Sequence, residues 1–146
     1  MEQIRKTKFE FFTKEVNLSK EQQNQLFPLY EEMEKTIYKM NREAEALMKK
    51  TAADTNASET EFEAAATAMA KTTLQQGEIE LDYFNKFSKF LSKKQLFLLK
   101  QAEEKFTQYL LKQRRSKEQI ETDMAQSASC IDMLEALFCY NKHKKL

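Results

Sequence analysis

Two serines in this chain each stand three residues ahead of a glutamine and directly behind a leucine: Leu18, Ser19 and Gln22, and again Leu91, Ser92 and Gln95. Residue types at this spacing do hydrogen-bonding rather than bond-breaking chemistry. The serine hydroxyl accepts from the amide three residues on, and the glutamine side chain returns to the serine's own amide, a capping box that starts a helix. In the second copy Leu91 can close on Leu96 as a hydrophobic staple; the first has Gln23 at that place and lacks the staple. Ser58 with Glu61 and Ser116 with Gln119 repeat the spacing elsewhere.

Side chains for covalent chemistry are sparse. Nucleophilic catalysis needs a base held against a serine or cysteine, and the one histidine, His143, lies in a lysine-rich terminus. A phosphate-cradling loop needs several glycines, and the chain has one, Gly77. Acidic runs such as Glu31, Glu32 and Glu34, or Glu78, Glu80 and Asp82, have the pattern of solvated helix faces. No Glu-x-x-His or His-x-x-x-His pair projects two metal ligands from one helix face. Met33 and Met40 fall within an apolar seam, where methionine fills core rather than binding a soft metal. The expectation is no catalytic residue, no cofactor and no metal.

The elements that must carry these boxes are helices. One Gly and one Pro in 146 residues leave too little turn chemistry for a sheet of tight hairpins, so the fold class is all-α. Phe9, Phe12 and Val16 share one face of a first helix over 3–16. A second helix, 20–50, carries a heptad seam of Leu26, Tyr30, Met33, Ile37, Met40, Ala44 and Leu47, with a kink expected ahead of Pro28. Residues 51–57 form the turn of a helical hairpin. The third helix runs to about Phe90, with a seam drifting from Phe62, Ala66 and Met69 to Leu74, Leu81, Phe84 and Leu91, and is weakened by Gly77. The fourth starts at Ser92 and carries Leu96, Leu99, Phe106 and Leu110 on one face, widened by Phe97, Leu98 and Tyr109. A separate tail helix over 117–140 follows, using Ile120, Met124, Ala128, Ile131, Leu134 and Phe138, so that 1–115 form the main domain and 116–146 an extension.

With 24 basic and 23 acidic side chains, no net field gathers nucleic acid or an anionic membrane. No apolar run reaches the length of a membrane span, and polar residues follow Met1 directly. That start fits a cytosolic protein or one whose leader has been removed. Cys130 and Cys139, nine apart on a helix, are beyond disulfide reach of each other and are read as free or buried thiols, a bridge between subunits staying open.

Sixteen Phe and Tyr residues cannot all point inward in a thin helical layer. One reading makes them ordinary core and dimer contacts; the other makes some of them an adaptable surface that holds segments of other proteins. Phe11, Phe12, Phe27 and Phe97 fall beside the cleanest core stripes and are the candidate protein-contact residues.

The recurrence of Leu, Ser, any, any, Gln at two helix starts resembles the LTxxQ motif of the Spy/CpxP family of bacterial envelope proteins, with serine in the place of the usual threonine. Phe27, Pro28, Leu29, Tyr30, Glu31, Glu32 and Met33 are similar to the FPLY-type segment of the family's Bacteroidetes-like branch, and Leu91 through Phe106 to the second motif and its helix. The likeness covers residues 1–115 and leaves the tail without a counterpart. It implies four helices in a hairpin cradle, a homodimer and a periplasmic setting, or a cytoplasmic one if Met1 is the native start. It further implies a non-enzymatic envelope-stress protein. Such a protein acts as an ATP-independent chaperone on unfolded or envelope protein clients, or signals stress through a sensor kinase or anti-sigma partner. A purely structural dimeric bundle and a metal-responsive accessory sensor are the alternatives.

Overall fold

The computed structural model describes residues 2–143, and side chains through residue 126. Cys130, Cys139 and the tail positions from Ala128 on therefore lie outside the residues whose side chains are described, as does His143. Four helices follow one another: α1 (Glu2–Val16), α2 (Lys20–Ala53), α3 (Glu59–Phe87) and α4 (Lys93–His143), with no strand among the described residues. The all-α architecture expected from the scarcity of Gly and Pro is what the chain adopts. It divides into two compact units, Met1–Ala102 and Glu103–Leu146.

Helix α1 ends through backbone geometry that an asparagine supplies. Asn17 takes φ 55°, and the Leu18 amide donates back to the Thr13 carbonyl at 3.1 Å, closing a Schellman turn that frees the chain to start α2 at Lys20. Left-handed backbone strains most side chains but is tolerated by asparagine and costs glycine nothing. Asn17→Ala is expected to lose about 1 kcal/mol in denaturant unfolding, with Asn17→Gly holding its stability. Equal loss in both would show that the side chain, not the backbone, matters there.

Helices α2 and α3 form the hairpin. On α2 the heptad seam is buried at Leu26, Tyr30, Met33 and Ala44 and half-buried at Ile37 and Met40, but Leu47, expected in it, is 39% exposed, and the buried face resumes at Thr51. Pro28 is exposed and α2 runs through it without a break. On α3 the seam differs from the expected one. Ala65, Thr72, Tyr83 and Phe87 are buried, whereas Phe62, Met69, Leu74 and Leu81 are 47%, 38%, 66% and 64% exposed. Small residues let two backbones approach closely, so Ala65 and Thr72 serve the contact and the larger side chains are left outside. The Thr72 hydroxyl is satisfied within its own helix by the Ala68 carbonyl at 2.8 Å.

An aromatic cluster fills the end of the hairpin where α1 docks. Phe12 meets Tyr30 edge-on at 5.3 Å, Phe9 stacks on Phe27 at 4.3 Å, and Tyr30 stacks with Phe87 at 6.3 Å. Leu91, Leu99 and Ala102 of the α3–α4 turn and early α4 are buried with them in the first unit. In the second unit the expected helix start at Ser116 is absent. The Ser116 hydroxyl instead donates to the Lys112 carbonyl at 3.0 Å in an unbroken α4. A serine box starts a helix only where the chain has already left helical backbone, and Lys, Gln and Arg around 112–117 all favour staying in it.

Candidate functional site

The two leucine-serine-glutamine boxes meet. Ser19 accepts from the Gln22 amide at 3.2 Å while Gln22 Oε1 accepts from the Ser19 amide at 3.1 Å. Ser92 and Gln95 make the same two bonds at 3.1 and 3.0 Å. Each glutamine then has its Nε2 left over, and the two face one another. Gln22 Nε2 donates to Gln95 Oε1, and Gln95 Nε2 donates to Gln22 Oε1, both at 2.9 Å. Gln22 Nε2 also donates to the Phe90 carbonyl at 3.1 Å, tying α2 to the turn that precedes α4. Each Oε1 thus accepts twice, the full capacity of an amide oxygen. Leu18 and Leu91, 7% and 5% exposed, sit beneath the two boxes.

The boxes were legible as separate helix starts; their pairing was not. A signal was present all the same. The hairpin-turn box, Ser58 with Glu61, caps with a carboxylate, its Oε2 accepting from the Ser58 amide at 2.7 Å. Glutamate caps as well as glutamine, but only the amide can also donate to a counterpart. Two glutamines at matching places are thus the residues that can cap and pair at once. The missing staple of the first box is also replaced by a polar contact, Gln23 Nε2 donating to the Leu18 carbonyl at 3.2 Å.

Charges elsewhere in the first unit fasten helices to each other. Lys8 pairs with Glu34, and Arg5 with Glu31 at 3.4 Å, holding α1 on α2 beside an open groove of about 500 Å³ whose walls include Ile4 and Tyr38. Burial pushes the Glu80 carboxyl up, but hydrogen bonds from Gln76 and Lys100 and the Lys100 charge outweigh it and leave the group below its ordinary value. That pair, 3.1 Å apart, joins α3 to α4. Burial raises the Tyr83 hydroxyl, and the adjoining Glu32 carboxylate raises it further, so the phenol stays a donor between α3 and α2. These arrangements hold structure; none sets a base against a nucleophile. Among the described residues no group of three or more His, Cys, Asp or Glu is gathered to hold a metal ion, and no helix is long and apolar enough to cross a membrane.

The four candidate contact phenylalanines separate. Phe12 is 1% exposed and is core: its ring fills the space over Tyr30, which removes it from any contact surface. Phe11 is half-buried, and Phe27 is half-buried against Phe9. Phe97 is 64% exposed. Phe62, Leu74 and Leu81, which size and spacing assign to the α3 seam, stand outside with it. No protein-family model, curated protein or solved structure matches this chain.

Proposed function

We propose that this chain is a non-enzymatic protein-binding hairpin of the envelope-stress kind. In the periplasm it acts as an ATP-independent, chaperone-like binder of unfolded or envelope proteins, or signals stress through a sensor or anti-sigma partner. The observation that carries the reading is the exposure of the large apolar rings of Phe62 and Phe97 on a scaffold whose polar groups are spent on helix starts and helix pairing. Exposed apolar surface among lysines can attract a client by charge and hold it by adaptable contact. The resemblance of the paired boxes to the LTxxQ motif supports the same reading. Large contiguous apolar patches are rare on a monomer, and with Leu74 and Leu81 also exposed the working form is a homodimer.

The test is aggregation of a chemically unfolded client, followed by light scattering without nucleotide or metal. Wild-type protein in several-fold excess should delay aggregation. Phe62→Ser with Phe97→Ser should shorten that delay at least about twofold while shifting unfolding by no more than about 0.5 kcal/mol, as expected of exposed positions. A wild type that never delays aggregation removes the chaperone reading and leaves signalling or a purely structural bundle.

A further inference from the structure

Helix α3 carries a second heptad stripe on the side turned away from α2. A helix advances about 100° per residue, so Leu74 and Leu81, each two residues beyond Thr72 and Ile79 of the buried side, lie about 200° around from it. Thr67, Ala70, Leu74, Gly77 and Leu81 follow one another in steps of three and four, the spacing of a helix seam. The stripe is unfilled: Leu74 and Leu81 are 66% and 64% exposed, and a Cβ added at Gly77 would meet nothing within 4 Å. Glycine weakens a helix, and here no neighbour in the chain requires its small size.

We infer that this stripe is the contact between two copies of the chain, with the α3 helices antiparallel about a two-fold axis between Gln75 and Gln76. The inference rests on the homodimer reading above and names its interface. In that register Leu74 of each copy lies over Gly77 of the other, and Leu81 lies over Ala70, so each leucine meets a notch. The charges match in the same register. Flanking residues of antiparallel helices face their own kind, and Lys71 then sits between Glu78 and Asp82 of the second copy, on both sides of the axis. Lys71, Glu78 and Asp82 are all exposed, and no like charges on that flank come opposite each other. One face thereby supplies large residues, the notches that receive them, and both signs of charge, as an isologous contact requires.

Sedimentation of the full chain across micromolar to millimolar concentration tests this. Wild type should dimerise. Gly77→Leu fills the notch and should weaken the dimer about tenfold or more, while the helical melt stays put or rises because the site is open within one chain. Lys71→Glu should weaken it about tenfold by facing Glu78 and Asp82, and adding Glu78→Lys with Asp82→Lys should restore it. A dimer untouched by Gly77→Leu and Lys71→Glu overturns the α3 contact but keeps the homodimer. A triple variant that stays weak overturns the register. A wild type monomeric at every concentration overturns both the contact and the homodimer.

Discussion

Phe12→Ala should cost about 4 kcal/mol of unfolding free energy, within the range for deleting a fully buried phenyl ring. The ring is 1% exposed and meets Tyr30 at 5.3 Å, and Tyr30 in turn stacks on Phe87. Helix α1 has 15 residues, a length at which an isolated helix is marginal, so it depends on what it buries. That is chiefly Phe12 and Val16, since the Arg5–Glu31 pair at 3.4 Å is partly exposed and contributes little by itself. The cavity would open under the junction of three helices, where the backbone cannot collapse to refill it. Phe97→Ala, at a site 64% exposed, should shift unfolding by no more than about 0.5 kcal/mol. Chemical denaturation of both variants separates core from surface. Equal, small losses would mean that α1 is not docked in solution.

The burial of Phe12 follows from a pattern within α1 itself, since Phe9, Phe12 and Val16 fall at i, i+3 and i+7 of one face. Helix content, the hairpin and the α2 seam were legible because each depends on composition or on spacing within one helix. The capping boxes were legible for the same reason, their partners standing three residues apart. The α3 seam was not. Scoring residues by size favours Leu74 and Leu81, while close helix approach selects Ala65 and Thr72, and nothing local says which face the neighbour takes. Ser116 shows the opposite failure: a correct local motif has no effect where the helix never stops. The meeting of Gln22 and Gln95, 73 residues apart, belongs to the topology rather than to either motif.

That meeting carries the other large expected effect. With Gln22→Glu and Gln95→Glu together, each box keeps its acceptor for the serine amide, so both caps survive. The reciprocal pair does not: two donors vanish, and two carboxylates face each other where amide groups now lie 2.9 Å apart. The double variant should be about 3 kcal/mol or more less stable than wild type at neutral pH, against about 1 kcal/mol for loss of a cap alone. Like charges sharing a site cannot both ionise easily, so one carboxyl in the folded state should titrate well above its unfolded value. The sign follows from proton binding. Between the unfolded and the raised folded pKa the folded state holds the extra proton, so stability falls as pH rises through that window and recovers on acidification. A proton restored to one carboxyl also restores a donor across the gap. Wild-type amides do not titrate, so the recovery on going from pH 7 to pH 4 should be the variant's alone after subtraction of the wild-type profile. Each single variant loses one donor and gains one facing charge beside an amide, and should fall well short of half the double's cost, giving a coupling of about 1 kcal/mol or more in the cycle. Additive losses with no acid recovery would mean that the glutamines cap their own helices without pairing, and that α2 and α4 are held together by Leu18 and Leu91 instead.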